Sequence, residues 1–99
     1  MSASYVVSAV YRAKEGLQGH VAQILKEMAL HARNEPGCLR YLIHRGSEDE
    51  RTFLLYEEYR SLEAFERHKD SEPFDRIIKQ EAWPALASRE VAFWESLDT

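Results

Sequence analysis

CLRYLIHRGSEDERTFLLYEEY, residues Cys38 to Tyr59, reads as two strands joined by a polar turn. CLRYLIHR (Cys38–Arg45) and TFLLYEEY (Thr52–Tyr59) are rich in aromatic and aliphatic residues, and GSEDER between them is wholly polar or charged. So short a connection predicts an antiparallel hairpin. On the second strand Phe53, Leu55, Glu57 and Tyr59 share one face, which puts a carboxylate into an apolar row. A carboxylate so placed needs a partner if it is buried.

Toward the N-terminus the hairpin is preceded by NEPG, where Pro36 and Gly37 stop a helix. In that helix Leu17, Val21, Ile24, Leu25, Met28 and Ala32 recur at helical spacing, with Gln18, Gln23, Lys26, Glu27 and Arg33 mostly opposite. Before it, SYVVSAVYR (Ser4–Arg12) is a strand with Val6 and Val10 on one face and Tyr5, Val7, Ala9 and Tyr11 on the other. Two apolar faces place that strand inside a layered structure.

Toward the C-terminus Ser61 is an N-cap, and Glu63 in the first turn suits the helix dipole. Leu62, Phe65 and His68 follow at three-residue spacing. DSEP breaks this helix, and Pro73 opens another whose apolar stripe is Phe74, Ile77, Ile78 and Ala82. Pro84 ends it, with Trp83 expected to pack underneath. REVAFWESL (Arg89–Leu97) is the last strand.

The order is strand, helix, strand, strand, broken helix, strand. It predicts an α+β, ferredoxin-like βαββαβ fold: one domain over residues 1–99, a four-stranded antiparallel sheet with helices on one face. Helices on one side leave the other bare. The expectation is that Tyr5, Val7, Ala9 and Tyr11, with Leu39, Tyr41 and Ile43, form that bare face. A second copy packed sheet to sheet would cover it as a homodimer.

Composition narrows the function classes. Of 99 residues, 17 are Asp or Glu and 13 Lys or Arg, a net charge of −4, which argues against nucleic acid as the main partner. The N-terminal stretch lacks a basic region before its apolar run, and no segment approaches a membrane span, so the expected location is cytoplasmic, away from membranes. Cys38 is the only cysteine, so an internal disulfide or cysteine-rich metal site is excluded. Its reading is a small residue opening a strand. His20, His31, His44 and His68 show no i, i+4 pair and no Cys or Asp partner at ligand spacing, so no metal is expected. Nor is there a phosphate-binding glycine loop or a G-x-S-x-G nucleophile motif.

EPGCLRYLIHR followed by FLLYEEYRSLEAFERHKDSEPF resembles the antibiotic biosynthesis monooxygenase family of dimeric α/β barrels. The residues carrying the likeness are Glu35, Pro36, Gly37, Cys38 and Tyr41, then Glu57, Tyr59, His68, Ser71 and Phe74. The strand and helix order extends it over essentially the whole chain. The resemblance implies a dimeric barrel with a pocket between helices and sheet, toward which Leu62, Phe65 and His68 should point. Its members include cofactor-free oxygenases of quinols and polyketide-like phenols, haem-degrading enzymes, and enzymes processing the phosphorylated autoinducer-2 signal. Haem-degrading relatives use a histidine on the helix after the break and an asparagine on the first strand. This chain has neither. Pro73 also stands where many relatives carry a second histidine.

The resemblance therefore implies a cofactor-free monooxygenase-like enzyme. Its partners would be a quinol or hydroxylated aromatic and oxygen, with His68 as catalytic base and Glu57 behind it. His68 reads equally as a packed core residue. Glu57 reads as its partner or as a rim ion pair with Arg60 or Arg67. Tyr41, Tyr59, Phe65, Phe74 and Trp83 are the candidate walls of a ring-binding slot, or plain core. Two other readings stay open. One is an isomerase of a phosphorylated, sugar-like signal, with Arg40 or Lys69 on the phosphate; the other is a non-catalytic binding dimer.

Overall fold

The computed structural model describes residues 4–98. The elements are β1 (Tyr5–Ala13), α1 (Gln18–Arg33), β2 (Cys38–Arg45), β3 (Thr52–Tyr59), α2 (Leu62–Lys69), α3 (Phe74–Ala82) and β4 (Leu86–Glu95). The strands form one antiparallel sheet in the order β2-β3-β1-β4. The expected four-stranded sheet with flanking helices is the observed one.

Local chemistry explains each boundary. Gly16 takes a φ of 84° in the turn before α1, a conformation that side chains with a Cβ rarely adopt. At the far end of α1 the Arg33 guanidinium donates from Nε and Nη2 to the Tyr41 carbonyl at 3.0 and 2.9 Å, tying the helix to β2. Gly37 lies against Ala64 with no room for a Cβ, so glycine here lets α2 approach the start of β2. The Ser61 hydroxyl accepts the Ala64 N–H at 3.2 Å and caps α2. The break at DSEP is held by one side chain. The Ser71 hydroxyl donates to the His68 carbonyl at 2.7 Å and accepts the Phe74 N–H at 3.3 Å, joining the end of α2 to the start of α3. α3 is wound as a π-helix, closed by a bond from the Trp83 N–H to the Ile78 carbonyl. A single 3₁₀ turn, Trp83–Ala85, leads straight into β4.

Three expectations about the sheet need correction. The face of β1 bearing Val7, Ala9 and Tyr11 is the one the helices cover, and Phe53, Leu55, Glu57 and Tyr41 join it. The bare face is the opposite one, where Val10, Leu42, Leu54 and Trp94 are 39–56% exposed. Both sets are apolar, so alternation alone did not say which was covered. Leu39 does not share a face with Tyr41. The pairing slips between Cys38↔Tyr59 and Arg40↔Glu58, leaving Leu39 as the extra, exposed residue of a β-bulge. Finally, β4 starts at Leu86 rather than Arg89, because β1 runs on to Ala13 and a register shift lets Ala13 pair with Leu86.

The core has two parts. Val21, Leu25 and Met28 of α1 and Ile77 and Ile78 of α3 pack on Tyr11, Phe53 and Leu55. A smaller cluster of Val7, Tyr59, Ala64 and Phe65 lies under α2. Leu62 was expected on that buried side but is exposed at the first position of α2, and Ala64 packs there instead. No helix among the described residues is long and apolar enough to cross a membrane.

Candidate active site

Glu57 and Tyr59 are two apart on β3, so both project to the helix side. The Tyr59 hydroxyl donates to Glu57 Oε1 at 2.6 Å. From α2, His68 enters the same space and is 2% exposed. Its Nδ1 lies 2.8 Å from Oε1 of Glu35, in the turn between α1 and β2. An ionised carboxylate only accepts, so the Nδ1 proton belongs to that bond and Nε2 turns toward Glu57. The distance from Nε2 to Glu57 Oε1 is 3.8 Å, too long for a hydrogen bond and a charge contact only when the imidazole carries a second proton. Aromatic rings enclose the imidazole: Tyr41, Tyr59, Phe65 and Phe74 have centroids 5.2–6.3 Å from it. His68 is thus a strut between two carboxylates, one partly open to solvent and one buried.

The Glu35 contact is the part that sequence reading missed. Glu35 stood in the EPG motif, but 33 positions separate it from His68, and a turn residue carries no periodic signal. Neither Arg60 nor Arg67 forms an ion pair with Glu57 among the described residues.

A cavity of about 370 Å³ opens between the sheet and the α2–α3 layer. That is at the lower end of the range for small-molecule sites. Its buried floor is Val7, Ala9, Tyr11, Glu57 and Phe65. Phe74 and Trp83 form half-buried walls, and Lys69, Asp70, Lys79 and Arg89 stand at the exposed rim with Val91 and Phe93. Of the candidate ring-binding residues, then, Phe65, Phe74 and Trp83 line the cavity. Tyr41 and Tyr59 lie behind it, around His68. His68 itself does not line it; Glu57 is the group that reaches the floor. Arg40 sits on the bare side of the sheet, 3.6 Å from Glu58, whereas Lys69 is at the rim.

Burial raises the Glu57 carboxyl above its ordinary value of 4.5, only partly opposed by the Tyr59 hydroxyl and by His68. Burial likewise holds the Tyr11 phenol up at about 12. The Trp83 indole N–H is buried without a well-formed hydrogen bond among the described residues, and it is the chief group opposing the rise of the Tyr11 phenol. The Cys38 thiol is raised to about 11, first by burial and then by the nearby Glu35 and Glu57 carboxylates. That disfavours a thiolate nucleophile. Among the described residues, no group of three or more His, Cys, Asp or Glu is placed to hold a metal ion.

Residues 4–80 match the family model described as antibiotic biosynthesis monooxygenase. The fold is close to that of PA3566 from Pseudomonas aeruginosa, at 27% identity and a TM-score of 0.92, covering 98% of this chain and 97% of that one. It is similar to SO0527 from Shewanella oneidensis, at 21% identity and a TM-score of 0.90, covering 97% of this chain and 93% of that one. It also resembles Rv0793 from Mycobacterium tuberculosis, at 23% identity and a TM-score of 0.88, with 97% of each chain covered. None of the curated proteins matches the sequence. The family match spans most of the chain and the whole of the Glu35–His68–Glu57 arrangement: the chain belongs to the antibiotic biosynthesis monooxygenase family.

Proposed function

We propose that the chain is a cofactor-independent oxygenase of quinols or other hydroxylated aromatics, working as a homodimer. The observation that carries this reading is the single carboxyl on the floor of a largely apolar, aromatic-walled cavity, Glu57 with His68 directly behind it. A carboxyl raised by burial is closer to the range in which it exchanges a proton with a phenolic hydroxyl. In this reading the Glu57 carboxylate takes the hydroxyl proton and becomes neutral, the negative charge passes to the substrate oxygen, and His68, oriented by Glu35, is a positioning residue that faces the Glu57 carboxylate before the transfer. The roles are the reverse of those expected from sequence, because Glu57 and not His68 faces the cavity. The substrate anion then passes an electron to dioxygen in a site where Val7, Ala9 and Phe65 exclude water.

The bare sheet face supports the dimer. Val10, Leu42, Leu54 and Trp94 lie on one side of the sheet, and pairing with a second copy would bury them. One observation favours the isomerase of a phosphorylated signal instead: Lys69 stands at the cavity rim, where it could meet a phosphate.

The test is oxygen uptake by the purified protein with a panel of quinols and hydroxylated naphthalenes, run for wild type, Glu57→Gln and His68→Ala. Protein-dependent uptake that falls about 100-fold in Glu57→Gln is the expected result, the usual size of a lost acid–base group. No uptake by the wild type on any member of the panel overturns the oxygenase reading and moves the assay to phosphorylated sugars.

A further inference from the structure

The chain carries four more acids than bases, yet one cavity is rimmed by three cations. Lys69, Lys79 and Arg89 all line it at exposed positions, and Asp70 is the sole acid among its exposed lining residues. Elsewhere on the surface arginines find carboxylates: Arg12 pairs with Asp49, and Arg76 with Glu72 and Glu27. Among the described residues, none of the three rim cations forms an ion pair or a hydrogen bond through its side chain.

Each rim cation instead rests on a ring of the same cavity. Lys69 Nζ is 5.1 Å from the Phe65 centroid, and Lys79 Nζ is 6.0 Å from that of Phe74. The Arg89 guanidinium lies 3.4 Å from the Trp83 centroid. A ring face attracts a cation but supplies no hydrogen-bond acceptor. A stacked guanidinium therefore keeps its N–H edge free, in the fork that matches a carboxylate. The rings hold three unspent sets of donors around an apolar floor.

We propose that the site takes an aromatic ring bearing both a hydroxyl and a carboxylate, with the hydroxyl toward Glu57 and the carboxylate held at the rim by Arg89, Lys79 and Lys69. This deepens the proposed function and rests on the same cavity, but it concerns binding and needs no oxygen chemistry. The ring lies on Val7, Ala9 and Phe65, which have nothing to offer a sugar hydroxyl, and only Tyr11 and Glu57 bring polar side-chain atoms to the buried floor. Those neighbours favour an aryl carboxylate over a phosphorylated sugar as the anion.

The experiment compares two probes, 6-hydroxy-2-naphthoate and 2-naphthol, titrated into the full chain without oxygen by calorimetry at low and at high salt. The acid is expected to bind at least about tenfold more tightly at low salt, with much of that advantage lost at high salt. Arg89→Gln and Lys79→Gln change exposed side chains and leave the fold intact. Each is expected to cut the advantage severalfold while 2-naphthol binding stays the same. Equal binding of the two probes overturns the proposal, as does no binding of either. It is also overturned by an advantage that survives both substitutions, or by tighter binding of a phosphorylated sugar than of the naphthoate. Failure of the oxygen-uptake assay with naphthoate binding intact would remove the oxygenase and leave this inference standing.

Discussion

Glu57 and Glu58 are neighbours in sequence on opposite faces of one sheet, and their surroundings have little in common. Glu57 looks into the helix layer, where a tyrosine hydroxyl and an imidazole meet it among aromatic rings. Glu58 looks to the bare side, where the Ser4 hydroxyl donates to it at 2.7 Å and Arg40 approaches at 3.6 Å. Both are buried. The difference is in what surrounds the carboxylate. On the covered side the partners are neutral or able to change protonation state, and a cavity reaches the group. On the bare side the partners are a serine hydroxyl and a permanent cation, at the edge of an apolar surface. One face is built for proton exchange and the other for contact.

The sharpest way to break this comparison is to truncate the same residue type on each face. Leu55 is 1% exposed on the covered side and Leu54 is 41% exposed on the bare side. Leu55→Ala is expected to destabilise the fold by about 2–5 kcal/mol, the usual loss for a buried leucine. Leu54→Ala is expected to cost no more than about 1 kcal/mol in dilute protein. Urea unfolding of both variants at several protein concentrations checks this. A Leu54→Ala effect that grows with concentration would mean that a second copy covers the bare face, as association couples to stability. Equal effects at every concentration would erase the distinction between the faces.

A smaller effect is expected at Gly37, which sets how closely α2 approaches the sheet. A Cβ there would overlap Ala64, so Gly37→Ala must move the helix carrying His68. The expected loss is about 1–3 kcal/mol, typical of overpacking, visible as a lower midpoint in denaturant. The bare face should not register it. Unchanged stability would mean that α2 can shift freely, and that the spacing of His68 between its two carboxylates is not tightly held.

Which parts of this arrangement the sequence displayed follows from the range of the signal. Period changes, the Ser61 cap and Pro73 act within one turn of chain, and the element order they define is the observed one. The covered face was not readable, because β1 is apolar on both sides and a two-residue period has no sign. The Leu39 bulge was hidden for a related reason: a slip of one residue leaves composition untouched. At the site, the residues quoted for the family likeness include both acids and the histidine. Their connections depend on contacts between distant segments, Glu35 with His68 above all. Tyr41 and Tyr59 have the right chemistry for a ring slot, but strand register sets them behind His68 instead.

The finest test of the two faces is the pH dependence of Glu57. Folding raises this carboxyl above 4.5, chiefly by burial, so between that pH and its folded value the native chain holds a proton that the unfolded chain has released. Stability falls with rising pH wherever the native state binds more protons. In wild type this contribution is absent in acid, grows as pH rises through that window and levels off once the native carboxyl also ionises. Its slope is no steeper than about 1.4 kcal/mol per pH unit, the value for one proton. Gln at 57 keeps an oxygen for the Tyr59 hydroxyl but cannot ionise. Glu57→Gln is therefore expected to gain on wild type as pH rises above 4.5, in denaturant titrations across the acid-to-neutral range. If the two curves stay parallel, the aromatic surroundings do not withhold charge from Glu57. The covered face would then handle its carboxylate no differently from the bare one, and the case for Glu57 as a poised base would fall with it.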